Sequence, residues 1–154
     1  MRVLVLYDSK TGNTEKMALA IAEGIRDTGY EVDVKKLGEP FTPSIIWSYN
    51  GVAFGSPAIY ANASREIRDF LQELKEAQGS RKTARSQKAG IFGSYGYDGA
   101  LILESKMREF ALSIGFVVFP EACMKVDFEI RTRTGDTMAF CRAWGKRFAE
   151  FLPF

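Results

Sequence analysis

The strongest constraint in this sequence is its alternation of short apolar runs with helical stripes, sustained along the whole chain. Val3–Tyr7 is wholly apolar, as a strand buried on both faces requires. Met17, Ile21 and Ile25 then recur at helical spacing, and Gly29 follows as a stop signal. Tyr30–Leu37 reads as a second strand, Gly38–Ser44 with its two prolines as a loop, and Gly51–Gly55 as a third strand. Ile67, Phe70, Leu71 and Leu74 mark a second helix, closed by Gly79. A polar, basic stretch leads to a fourth strand, Ala89–Gly93, and Leu103, Met107, Phe110 and Ile114 mark a third helix ended by Gly115. Phe116–Phe128 holds the fifth strand, interrupted at Pro120, with Cys123–Phe128 as its paired part. Thr134 suits the N-cap of a last helix running from about Asp136 to Leu152. Strands alternating with helices are joined by right-handed crossovers, so they build a parallel sheet covered on both faces.

The 154 residues suit one domain, 1–154, and no linker or repeat divides them. No apolar run approaches the roughly 20 residues of a membrane helix, and MRVLVLYDSK turns polar too soon for a secretory signal. A cytoplasmic protein is therefore expected. The net charge of +2 is too small to argue for nucleic acid. Cys123 and Cys141 lack metal-ligand spacing and read as core thiols. The chain has no histidine, which removes the commonest general base, the Ser/His and Cys/His nucleophiles and most zinc sites. Any redox or group-transfer chemistry would have to come from a cofactor.

Open parallel sheets bind ligands beyond the C-terminal ends of their strands, so the residues just after strands one, three, four and five carry the information. The first, Ser9-Lys10-Thr11-Gly12-Asn13-Thr14, is neither a Walker loop nor GxGxxG. It offers three hydroxyls, a glycine for close approach and the free amides of a helix start, which favour a phosphate; Lys10 could add charge. The same residues also suit an ordinary N-capped turn. The second loop, Gly55-Ser56-Pro57-Ala58-Ile59-Tyr60-Ala61-Asn62, and the third, Gly93-Ser94-Tyr95-Gly96-Tyr97-Asp98-Gly99, set aromatics among small residues. Small residues let backbone reach the edge of a flat ring, and aromatics stack on its faces.

These motifs resemble the flavodoxin family. The first loop is similar to that family's phosphate signature, [ST]-x-T-G-x-T, at every defined position, and the chain resembles most the flavodoxin-like module of flavodiiron proteins. The resemblance implies a flavodoxin-like three-layer α/β/α fold with a five-stranded parallel sheet, order 2-1-3-4-5, and tightly bound, non-covalent FMN. It implies that Ser9, Thr11, Gly12, Asn13 and Thr14 hold the phosphate. Ser56, Pro57, Ala58, Tyr60 and Asn62 would form one wall of the ring site, and Ser94, Tyr95, Gly96 and Tyr97 the other. Ala61 would stand at a position where the family commonly has a glycine in a left-handed conformation, which costs a non-glycine residue about 1–2 kcal/mol.

The chain departs from familiar flavodoxins in charge: they are acidic around the flavin, and here Asp98 is the only acidic residue within the three loops. The resemblance implies an electron-transfer protein that shuttles electrons between a reductase and an acceptor protein, with no nucleic acid and no membrane insertion. The alternative is an FMN-dependent NAD(P)H:quinone or small-molecule oxidoreductase on the same fold, which the missing acidic belt favours. Arg131 and Arg133 follow strand five and are expected on the flavin rim; Arg81, Lys82, Arg85 and Lys88 are expected in a solvated loop on the opposite rim.

Overall fold

The computed structural model describes residues 1–40, 42–78 and 87–153. In chain order it runs β1 (Arg2–Tyr7), α1 (Asn13–Arg26), β2 (Glu31–Lys36), a 3-10 turn (Pro43–Ser48), β3 (Gly51–Ile59), β4 (Asn62–Ala63), α2 (Arg65–Gln78), β5 (Lys88–Tyr95), α3 (Ala100–Ile114), β6 (Val117–Val118), β7 (Cys123–Val126), α4 (Asp127–Thr132) and α5 (Thr134–Phe151).

The main strands are parallel and ordered β2-β1-β3-β5, with β6 and β7 as successive pieces of one outer strand on β5. Counting that outer strand once gives the expected order 2-1-3-4-5. Side chains alternate across a strand, so β1 feeds both sides of the sheet. Val3, Val5 and Tyr7 pack with Met17, Ile21, Ile25, Trp144 and Phe148 under α1 and α5. Leu4 and Leu6 pack with Ile67, Leu71, Leu74, Leu103 and Met107 under α2 and α3. The result is the three-layer α/β/α arrangement, with the tips of β1, β3 and β5 meeting at one edge.

Several boundaries differ from the sequence reading for local reasons. Both halves of Phe116–Phe128 pair with β5, because only the segment around Pro120 leaves the ladder; proline has no N–H to donate. Asp127 and Phe128 already belong to α4 rather than to the strand. Thr134 is the first residue of α5 rather than its cap, and its hydroxyl donates to the Ile130 carbonyl at 2.7 Å. Lys88 opens β5 instead of lying in a loop: its ammonium donates to the Phe151 carbonyl at 2.7 Å and the Pro153 carbonyl at 3.1 Å, at the C-terminal end of α5 where a cation is favoured. Gly79, Arg81, Lys82 and Arg85 lie outside the described residues. Cys123 and Cys141 are fully buried, with their sulfurs 3.8 Å apart, as core thiols should be.

Candidate functional site

The first loop forms an amide cradle. Gly12 precedes α1 in a left-handed conformation, φ 92°, that lets the chain turn back over the helix end. Ser9 Oγ accepts from the amides of Gly12 (3.1 Å) and Glu15 (3.3 Å), which ties the loop to the first helical turn. The amides of Thr11, Asn13 and Thr14 have no partner among the described residues, and a Cβ on Gly12 would meet nothing within 4 Å. Unspent donors at a helix N-terminus, with the helix dipole behind them, make an anion site. Thr11 is exposed, whereas Asn13 and Thr14 are buried. The Thr14 and Ser94 hydroxyls share a buried 2.8 Å hydrogen bond that joins the first loop to the third.

Lys10 is engaged by two carboxylates. Its ammonium sits 2.6 Å from Glu66 of α2 and 3.3 Å from Asp8 Oδ2. The Lys10 hydrogen bond holds the Glu66 carboxyl below the usual range, and the Glu66 hydrogen bond raises the Lys10 ammonium. Asp8, which the sequence reading did not assign to the site, is buried directly after β1, and its Oδ2 makes no well-aligned hydrogen bond. It is an acceptor with unspent capacity beside the cradle.

The second loop is a hairpin. β3 and β4 pair antiparallel, Ala58 with Ala63 and Ile59 with Asn62, leaving Tyr60 and Ala61 as a two-residue turn. Both have positive φ, 50° and 62°, the signature of a hairpin turn usually built from Asn and Gly. Ala61 therefore adopts the conformation expected to be costly for it. Asn62 Oδ1 accepts from the Ala63 amide at 2.8 Å. Ser56 is fully buried and accepts from the Ser64 amide at 2.8 Å, so it braces the loop from beneath, while Pro57 and Ala58 are half-buried above it.

The third loop closes against the second. Gly99, at φ 89°, lies so near Ala61 that a Cβ would stand 2.8 Å from its Cα. Tyr95 is half-buried and ends β5, opposite Val126 of β7. Gly96 is open apart from the Asp127 carboxylate, 3.7 Å from where its Cβ would be. Tyr60 is 100% exposed and Tyr97 94% exposed, two aromatic rings left bare on neighbouring loops of one sheet edge. Ile59, Leu101 and Phe128 are exposed at the same edge. Arg131 and Arg133 are exposed too, at the end of α4, whose first residue Asp127 lies against Gly96 of the third loop.

A family model described as Flavodoxin matches residues 5–144. The chain is 29% identical over 171 residues to a flavodoxin of Aquifex aeolicus, covering 98% of this chain and 86% of that one. It is 32% identical over 157 residues to a putative diflavin flavoprotein of Synechocystis, covering 99% of this chain and 24% of that protein. It spans only 24–35% of the length of several larger curated relatives. Among solved structures, an archaeal flavodoxin superposes with a TM-score of 0.84 at 24% identity, covering 99% of both chains. The Flv1 flavodiiron core of Synechocystis gives 0.77 at 27% identity, covering 99% of this chain and 36% of that one.

Proposed function

The chain belongs to the flavodoxin family, and from that premise we propose that it binds FMN non-covalently across the three loops and passes electrons through it between a reductase and an acceptor protein. The observation that carries this reading is the amide cradle at the head of α1, built for one terminal phosphate and set beside two bare tyrosines. FMN is the cofactor of the family. When bound, it supplies one- and two-electron transfer; the protein supplies binding, orientation and electrostatics.

The residues present fit that group. The amides of Thr11, Asn13 and Thr14 and the Thr11 hydroxyl hold the phosphate. Asp8 Oδ2, buried and paired only with Lys10 among the described residues, would accept a hydroxyl hydrogen bond from the sugar-alcohol chain, with Lys10 offsetting its charge against the phosphate. Tyr97 and Tyr60 stack on the ring, and each covers apolar surface that water now meets. Asp98 is the only carboxylate within the loops, so negative charge opposes reduction less than an acidic rim would. The bare apolar residues at the edge suit transient protein docking. Among the described residues no helix is long and apolar enough to cross a membrane; a single domain over 1–154, working in the cytoplasm without nucleic acid, completes the proposal.

That Asp98 is the only carboxylate within the three loop segments also favours a second reading, direct reduction of quinones or other small molecules by NAD(P)H. Steady-state NAD(P)H oxidation by the FMN-loaded protein, with quinone and no partner protein, separates the two. A carrier turns over no faster than free FMN. Saturable turnover well above free FMN overturns the carrier reading.

A further inference from the structure

A cleft of about 580 Å³ separates α2 from α3, on the opposite side of the sheet from α1 and α5. That volume lies within the range of small-molecule sites, roughly 300–1,000 Å³. Phe110, half-buried, gives it an apolar wall, with the buried Leu71 and Met107 beneath, and it ends against Asn62 and Ala63.

Helix α2 sorts its charges by face. Glu66, Asp69 and Glu73 line the groove toward Leu37 and Pro43. Arg68 and Lys75, two turns apart, line the cleft toward α3, which adds Lys106. Residues at these helical spacings share a face. The Arg68 guanidinium is anchored by its Nε, which donates to the Ala63 carbonyl at 3.1 Å, and the Lys75 ammonium lies 5.7 Å from the centre of the Phe110 ring. None of the three cations forms an ion pair among the described residues. Asp69 also reaches the cleft, but Arg65 holds its carboxylate at 3.4 Å, which leaves Glu109 as the one carboxylate there without an ion pair among those residues. Three like charges around an apolar floor repel one another, and a bound anion relieves that repulsion.

We propose that the α2–α3 cleft binds a phosphate-bearing aromatic of nucleotide size. The planar ring packs on Phe110, and the phosphate is held by Lys75 and Lys106, with Arg68 at the far end. Arg68 and Lys75 are about 10 Å apart along the helix axis, so a compact anion such as inorganic phosphate does not use both. The site lies outside the phosphate cradle and shares only Asn62 with the three loops, so it stands or falls independently of the flavin reading.

The test is a calorimetric titration of the FMN-loaded protein with AMP, repeated without added flavin so that failure to load FMN is seen separately. Saturable one-to-one binding is expected in both forms, with no flavin released. Inorganic phosphate alone should bind at least tenfold more weakly than AMP. The exposed double variant Lys75→Glu/Lys106→Glu should lose at least tenfold in AMP affinity while retaining FMN. No saturable binding, phosphate binding as tight as AMP, displacement of flavin by AMP, or unchanged affinity in the double variant would each overturn the proposal.

Discussion

At the scale of single residues, the site is built from conformations that only its context justifies. Tyr60 and Ala61 both sit in the left-handed region, where a side chain costs roughly 1–2 kcal/mol per residue. Ala61→Gly should therefore raise unfolding stability by about 1 kcal/mol, part of the gain being offset by the greater freedom of glycine in the unfolded chain. Chemical denaturation measures it, and a fall in stability would mean that the turn carries no strain. The two threonines of the cradle separate cleanly. Thr11 is exposed and spends its hydroxyl on nothing among the described residues, so Thr11→Ala should weaken FMN by about 1.5–3 kcal/mol, leave riboflavin nearly untouched and barely alter stability. Thr14→Ala also strands the buried Ser94 hydroxyl, and it should cost about 1–3 kcal/mol of stability in addition. Equal weakening of both flavins by Thr11→Ala would remove the phosphate assignment. The glycine among hydroxyls before a helix was legible in the sequence, but the same residues suit an ordinary N-capped turn, and only the structure shows the unpartnered amides of Thr11, Asn13 and Thr14. The hairpin at Tyr60-Ala61 was not, since the usual Asn-Gly signal is missing, and Asp8 lies just outside the motif, so its burial against Lys10 appears only in the structure.

At the scale of elements, the sequence reading located α1, α2, α3 and α5 but not the short α4, whose first two residues it read as strand, and contact determined the exact ends. The stripes Met17-Ile21-Ile25 and Ile67-Phe70-Leu71-Leu74 are buried as read. The crossing of α1 and α5 was invisible in them, because it depends on glycines rather than on apolar residues. A Cβ on Gly24 would enter the backbone of Arg142, and one on Gly145 would enter the backbone of Ile21. The two helices thus touch backbone to backbone. Gly145→Ala should force them apart and cost about 1–3 kcal/mol despite alanine's better helix propensity. Thermal unfolding reads this directly; a stabilised variant would show that the approach is looser than described. The split outer strand follows the same logic. Proline identified the break, but which half paired with β5 was decided by tertiary hydrogen bonds, and both do. Lys88 was misread with its basic neighbours because its role depends on where α5 ends, far away in sequence.

At the scale of the whole molecule, a parallel sheet brings three loops to one edge, and each contributes something the others lack: amides from the first, a strained aromatic turn from the second, a second aromatic and a close-packed glycine from the third. The Thr14–Ser94 bond and the Gly99–Ala61 contact fix these loops to one another, so the site is assembled by folding before any ligand arrives. Preorganisation of this kind lowers the ordering cost of binding. The central claim is that the cradle selects a flavin by its terminal phosphate, and the most direct measurement is a pair of titrations of the flavin-free protein, one with FMN and one with riboflavin. FMN should bind at least tenfold more tightly, equivalent to about 1.4 kcal/mol or more, and its fluorescence should be quenched on binding. Equal affinity for the two flavins, or binding of neither, would contradict the claim.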